Sequence, residues 1–175
     1  MKSKLANLSD EVYLEKSRKL SLKLNQLLLD LNVIQSKLMF GVFSPIQKEP
    51  IWFLEFGDKF NGLTAYPDCA FGEMKFHLSN AKDLVQSTEF ANLMAPVNTC
   101  PIVKPEILVI PGLCFSKVGD RLGRGKGFYD KYLATHPLIK IGLAFEEQIE
   151  EELVSVTEAH DEKMNYVVTD QNIYS

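Results

Sequence analysis

The sequence predicts an α/β domain with a mainly parallel central sheet, and two observations carry that reading. Apolar runs recur at Lys37 to Phe43, at the β-branched Ile107 to Ile110 and at Ile139 to Phe145. Helical spacing fills much of the chain around them, and strands alternating with helices build parallel sheets. At 175 residues, 46% hydrophobic and 24% charged, residues 1–175 are expected to form one domain around one sizeable core.

Met1 to Leu8 is short and basic. Ser9 is an N-cap signal, with Asp10 and Glu11 complementing the helix dipole. Val12, Leu20, Leu24, Leu27, Leu28 and Leu31 then mark an amphipathic helix ending near Asn32. A strand over Lys37 to Phe43 stops at Ser44-Pro45. Glu49-Pro50 is expected to open a helix presenting Trp52, Phe53, Phe56 and Phe60 on one face. Leu63 to Tyr66 reads as a strand stopped by Pro67, Met74 to Leu78 as an edge strand, and Asp83 to Leu93 as a helical turn or two. Asn92 to Pro105, with three prolines, reads as an irregular connection. Further strands are expected at Ile139 to Phe145 and, closing the chain, at Tyr166 to Thr169, with a short helix at Gln148 to Val156.

The net charge of −4 argues against a general nucleic-acid binder. Between Lys117 and Lys131, however, five cations stand against two acids, which suits a small anionic ligand. The three cysteines, Cys69, Cys100 and Cys114, are too dispersed for a zinc cluster or a disulfide framework and read as buried apolar residues. No stretch reaches transmembrane length and no apolar leader opens the chain, so a cytoplasmic protein without a membrane partner is expected.

The strand at Ile107 to Ile110 runs through Pro111-Gly112 toward Arg121-Leu122-Gly123-Arg124-Gly125-Lys126-Gly127-Phe128-Tyr129-Asp130. Alternating glycines allow positive φ and close backbone approach, so successive N–H groups can converge on an anion. Arg124 and Lys126 lie between the glycines and can neutralise it, and the short helix expected from Phe128 to Thr135 points its positive end there. A Walker A loop is excluded, because Asp120 and Gly127 stand where it needs Gly and Ser or Thr. A dinucleotide fingerprint is excluded by Phe128 in place of its third glycine.

The string Pro111-Gly112, Phe115, Gly119 and Arg121 to Asp130 resembles the signature of 5-formyltetrahydrofolate cyclo-ligases, also called methenyltetrahydrofolate synthetases. The likeness is dense from Glu106 to Thr169 and thin before it. It implies a three-layer α/β/α sandwich and an ATP- and Mg²⁺-dependent closure of 5-formyltetrahydrofolate to 5,10-methenyltetrahydrofolate, releasing ADP and phosphate. The reduced folate is then the small-molecule partner, and a monomer is expected.

The resemblance also implies roles for residues. Arg124 and Lys126 become catalytic, and ATP is bound along Arg121, Leu122, Gly123, Arg124, Gly125, Lys126, Gly127, Phe128 and Tyr129. The folate is implied at Glu49 and Ser44 and along Arg124, Gly125, Lys126, Gly127 and Phe128. Glu49 takes the place of an acid that binds the pterin, whose donor edge an acceptor-only carboxylate suits. Ser44 stands at a substrate-lining position usually larger or apolar. Asp130 and Asp161 are the implied Mg²⁺ ligands. By spacing alone, Asp130 serves equally as a first-turn acid of the helix. A basic Lys-x-x-Leu-Arg segment usually opens the family, and here Lys2, Lys4 and Leu5 lack its Arg. A folate- or nucleotide-binding relative without turnover is therefore the competing expectation; an RNA clamp is disfavoured by the acidic charge.

Overall fold

The computed structural model describes residues 5, 7–33, 35–56, 60, 62–90, 92–136, 138–151, 153 and 162–175. Its strands are β1 (Phe40–Gly41), β2 (Thr64–Asp68), β3 (Lys75–Leu78), β4 (Val85–Gln86), β5 (Met94–Ala95), β6 (Ile102–Val103), β7 (Ile107–Pro111), β8 (Cys114–Phe115), β9 (Arg121–Leu122), β10 (Ile139–Leu143), β11 (Tyr166–Val168) and β12 (Ile173–Tyr174). The helices are α1 (Asp10–Asp30) and α2 (Phe128–Leu133). Eight strands form one sheet in the order β12-β11-β10-β7-β1-β2-β3-β6. From β11 across to β2 every pairing is parallel, while β12, β3 and β6 add antiparallel margins. The expected mainly parallel sheet is what the chain forms.

Side-chain alternation along β7 divides the core in two. Ile107 and Val109 pack with Leu20, Leu24 and Leu28 of α1, whereas Leu108 and Ile110 pack with Tyr132 and Leu133 of α2 on the opposite face. Helix, sheet and helix thus form three layers. Burying one leucine on either side contributes about 1.5–3 kcal/mol, so both faces hold the sheet firmly.

Ser9 caps α1, its hydroxyl accepting from the Val12 amide at 3.3 Å. The buried face differs from the expected stripe in one respect. Val12 is exposed, while Ser17 and Ser21 are buried. These serines accept the amides of Ile51 and Glu55, and Ser21 donates to the Trp52 carbonyl at 2.7 Å, so hydrogen bonding brings them inside.

The same bonds explain why Glu49-Pro50 opens no helix. The chain from Trp52 to Phe56 runs in turns whose backbone bonds to α1. Trp52, Phe56 and Phe60 are buried and in ring contact, but Phe53 points outward. The strand expected over Lys37 to Phe43 contracts to β1, because Lys37 adopts a positive φ of 53° in a turn. Pro67 lies inside β2 rather than ending it. At that position β2 pairs only with β3, so the missing N–H costs no ladder bond. β3 is not an edge, since β6 pairs beyond it and gives structure to the supposedly irregular connection. The helical turns expected at Asp83 to Leu93 are replaced by a 3-10 turn at Ala81–Asp83 and by β4 pairing with β5. After Gln148 the chain leaves a short 3-10 turn for a bridge at Ile149, and the rest of the helix expected to Val156 falls largely outside the described residues. β12 follows β11, so Tyr166 to Thr169 does not close the chain.

Candidate active site

The strand order reverses direction at β7 and β1: the chain goes from β1 outward to β2 and β3, then returns to β7 and continues outward to β10. Crevices beyond the carboxyl ends of strands at such a point are where open α/β sheets bind ligands. A cavity of about 450 Å³ lies there, walled by Phe43 and Ser44 after β1, Pro67 and Cys69 around the end of β2, Pro111 of β7, and the glycine loop from Gly123 to Gly127. Its size is that of a small-molecule site.

Arg121, in the β8–β9 hairpin, is nearly buried. Its Nη2 donates to Asp130 Oδ1 at 2.5 Å, its Nη1 to the Pro111 carbonyl at 3.3 Å, and its guanidinium lies 5.6 Å from the Tyr129 ring centroid. Gly123 makes this possible, because a Cβ there would come within 2.9 Å of Nη1. The pair ties the end of β7 to the first turn of α2.

Arg124 stands further out on the loop. Its Nη2 donates to Glu49 Oε1 at 2.8 Å across the cavity, and the Ile46 amide donates to the other Glu49 oxygen at 3.1 Å. The Glu49 backbone is fixed as well, its carbonyl accepting the Tyr13 hydroxyl at 2.8 Å. Burial pushes the Glu49 carboxyl above the usual range, with the Ile46 amide and Arg124 pulling it partly back.

Lys126 reaches across to Phe90, its Nζ 4.1 Å from the ring centroid, and Phe90 meets Phe128 edge to face at 6.2 Å. Gly127 takes φ 67° as the N-cap of α2, a left-handed conformation that favours glycine and leaves the helix mouth without a side chain. Cys69 is on the wall, where burial pushes its thiol up to about 11 and disfavours the thiolate at neutral pH.

The cavity therefore gathers Ser44, Glu49, Arg121, Gly123 to Tyr129 and Asp130. Leu122 is elsewhere, paired with Cys114 in the hairpin. Asp161, its neighbour His160, and Lys2 and Lys4 lie outside the described residues. Trp52 does not line the cavity; its indole N–H donates to the Phe43 carbonyl at 2.8 Å within the core.

One wall was missed by reasoning from sequence. Glu89, Phe90, Asn92 and Leu93 line the cavity from the β4–β5 connection, where Ser87 Oγ turns the chain by accepting the amides of Glu89 and Phe90. The available signal was Phe90 and Leu93, two apolar residues three apart.

Residues 1–170 match the 5-formyltetrahydrofolate cyclo-ligase family. The chain belongs to that family. A 5-formyltetrahydrofolate cyclo-ligase of Mus musculus is 42% identical over 69 residues, which cover 36% of this chain and 33% of the mouse protein. A probable 5-formyltetrahydrofolate cyclo-ligase of Schizosaccharomyces pombe is 28% identical over 79 residues, 39% of each chain. The alignments thus span only a third or so of these curated relatives. Solved structures cover far more. The 5,10-methenyltetrahydrofolate synthetase of Aquifex aeolicus superposes with a TM-score of 0.80 at 25% identity, covering 98% of this chain and 87% of that one. A 5,10-methenyltetrahydrofolate synthetase of Mycoplasma pneumoniae, at 21% identity and a TM-score of 0.73 over 96% and 93% of the two chains, shares the fold. Among the described residues no helix is long and apolar enough to cross a membrane.

Proposed function

We propose that the chain closes 5-formyltetrahydrofolate to 5,10-methenyltetrahydrofolate with ATP and Mg²⁺. The observation that carries this reading is one cavity holding a buried carboxylate, Glu49, opposite a glycine loop with two reachable cations, Arg124 and Lys126. Glu49 meets the donor edge of the pterin, and Phe90, Phe128 and Leu93 supply flat apolar wall around the rest. Glycine-loop amides and the two cations take the phosphates.

The formamide oxygen is a poor leaving group until it is phosphorylated. Transfer of the γ-phosphoryl to it, with loss of ADP, gives an iminium phosphate; nitrogen 10 attacks that carbon, and phosphate departs as the ring closes. The protein's work is alignment of two ligands and neutralisation of the moving charge. Arg124 exchanges Glu49 for a phosphoryl oxygen as the pterin takes its place on the carboxylate.

The donor set on this wall fits Mg²⁺. Asp130 is a partly exposed carboxylate on the cavity wall, and this ion accepts one or two carboxylates completed by phosphate oxygens and water. Among the described residues no group of three or more His, Cys, Asp and Glu could hold a metal by itself, so the nucleotide would supply much of the coordination. Asp130, with Asp161 from the segment before β11, would hold it, and it would screen charge between the phosphates. The three free cysteines suit a reducing cytoplasm.

The test is spectrophotometric. Mixing the protein with 5-formyltetrahydrofolate and MgATP should raise near-ultraviolet absorbance as the conjugated methenyl product forms, strictly with ATP. Folate binding by calorimetry with no product would leave a binding protein instead.

A further inference from the structure

Glu49 reaches the cavity from a stretch with little support of its own. Ser44 to Pro50 form neither helix nor strand, and Gln47 takes a positive φ of 55°, a left-handed conformation uncommon for a residue with a side chain. The Glu49 amide donates to the Ile46 carbonyl at 3.1 Å and closes the turn. The tie from outside comes from the first turns of α1. Tyr13 is half-buried there, its ring meeting Phe145 edge to face at 6.0 Å, while Lys48 Nζ lies 4.7 Å from the ring centroid. Phe145 stands just past β10, so the ring bridges the carboxyl end of the sheet and the turn. Lys48 is itself paired with Asp10 at 2.6 Å. With its ring gripped on two sides, Tyr13 donates its hydroxyl to the Glu49 carbonyl at 2.8 Å. That bond falls on the backbone of the residue whose carboxylate crosses the cavity to Arg124.

We propose that Tyr13 is a positioning residue for the folate site: its hydroxyl sets where the Glu49 carboxylate stands and so governs how tightly the pterin is held. The inference rests on the folate reading above. A glutamate carboxylate sits at the end of three rotatable bonds. Meeting the pterin's donor edge at hydrogen-bond distance leaves little room for drift of the backbone that carries it. The carboxylate's own partners do not prevent that drift. Ile46 belongs to the same turn and moves with it, and on the folate reading Arg124 leaves for a phosphoryl oxygen. The Tyr13 hydroxyl comes instead from a 21-residue helix and touches no ligand, so it stays through the exchange. α1 also ties the residues that follow. Ser21 accepts the Glu55 amide at 3.0 Å and donates to the Trp52 carbonyl at 2.7 Å, yet neither Trp52 nor Glu55 lines the cavity. The two ties are alike in kind and differ in what they hold.

The experiment is a double-mutant cycle of Tyr13→Phe with Glu49→Ala, with Ser21→Ala as the comparison. Affinity for 5-formyltetrahydrofolate is read by calorimetry, which needs no turnover, and KM and kcat by absorbance. Tyr13→Phe keeps the ring against Phe145 and Lys48 and removes only the hydroxyl. It should weaken folate binding about threefold and raise the folate KM to match, with kcat kept and the KM for ATP not raised. In the Glu49→Ala background the same change should move folate affinity by less than about 1.5-fold, because no carboxylate is left to place. Ser21→Ala should lower the urea midpoint at least as far as Tyr13→Phe and leave the folate KM alone. Three results overturn the proposal while leaving the folate reading intact: wild-type affinity in Tyr13→Phe, an equal loss with and without Glu49, or an equal loss in Ser21→Ala. A wild type that neither binds nor converts 5-formyltetrahydrofolate defeats that reading and the role of Tyr13 together.

Discussion

Arg121 and Arg124 are three residues apart in one motif and do different work. The Arg121 side chain is 6% exposed, its guanidinium locked to Asp130 and the Pro111 carbonyl. Arg124 is 36% exposed and bonds Glu49 across open space. One ion pair joins a strand end to a helix start and has no reason to open. The other crosses the cavity that the proposed folate would enter, and on that reading it has to be exchanged. A basic glycine-rich string is thus half scaffold and half instrument, and exposure separates the halves where spacing does not.

The largest expected effect falls on the open half. Arg124→Ala and Lys126→Ala should each lower kcat/KM about a hundredfold, roughly 2.7 kcal/mol of transition-state stabilisation. Urea unfolding should move little for Lys126→Ala, by under about 1 kcal/mol, because its side chain leaves a solvent-facing position, and by about 1 kcal/mol for Arg124→Ala, which also leaves the Glu49 carboxyl without its ion pair. If both variants stay within threefold of the parent, the loop has no part in the chemistry and the comparison collapses.

Arg121→Ala should behave the other way. Removing a nearly buried guanidinium strands Asp130 and the Pro111 carbonyl, at a cost of about 2 kcal/mol after allowing for the partial exposure of Asp130. The measurement is the urea midpoint, which should fall well before activity per folded molecule does. Equal midpoints for Arg121→Ala and Arg124→Ala would mean that exposure is a poor guide here.

Asp130 belongs to both halves, since it receives Arg121 and faces the cavity. Asp130→Asn keeps the shape and loses the charge that a hard cation needs, so the Mg²⁺ concentration for half-maximal rate should rise about tenfold. The folate KM should change far less. An unaltered Mg²⁺ titration would assign Asp130 wholly to the scaffold.

Much of this was legible in the sequence, for identifiable reasons. β7, β10 and α1 carry long periodic signals, and the signature string carried nine of the ten residues from Arg121 to Asp130 to the cavity wall. β4, β5, β6 and β12 are two residues each and are made by partners elsewhere in the chain, so no local pattern announces them. The Phe90 wall was hidden for that reason: a pairing between residues 85–86 and 94–95 decides it, not the propensity of the residues between. Ser17 and Ser21 broke the pattern of α1 because hydrogen bonds, which hydropathy does not see, settle their burial. The division of labour between Arg121 and Arg124 needed Glu49, 75 residues away from Arg124 in the chain.

The smallest expected effect concerns Glu49 and pH, and it sharpens the comparison most. Burial raises the carboxyl, and Arg124 is one of two groups holding it down. A raised value means that the folded protein holds this proton more tightly than the unfolded chain does. Glu49 therefore favours the fold more below its raised value, and that contribution is lost as the pH climbs through it. Pterin recognition runs in the opposite sense, because only the carboxylate accepts from the ring's donors. The KM for 5-formyltetrahydrofolate should accordingly rise as the pH falls toward a midpoint above the ordinary glutamate value of about 4.3. In Glu49→Gln the KM at neutral pH should be about fivefold higher, for the lost charge on the acceptor, and flat across the acid range. Arg124→Ala should shift the wild-type midpoint upward, because it removes one of the two restraints on the proton, whereas Arg121→Ala should leave it in place. Matching KM–pH profiles for wild type and Glu49→Gln would make Glu49 a brace for the loop at Ile46. A midpoint that moves with Arg121 and not with Arg124 would reverse the roles assigned to the two arginines.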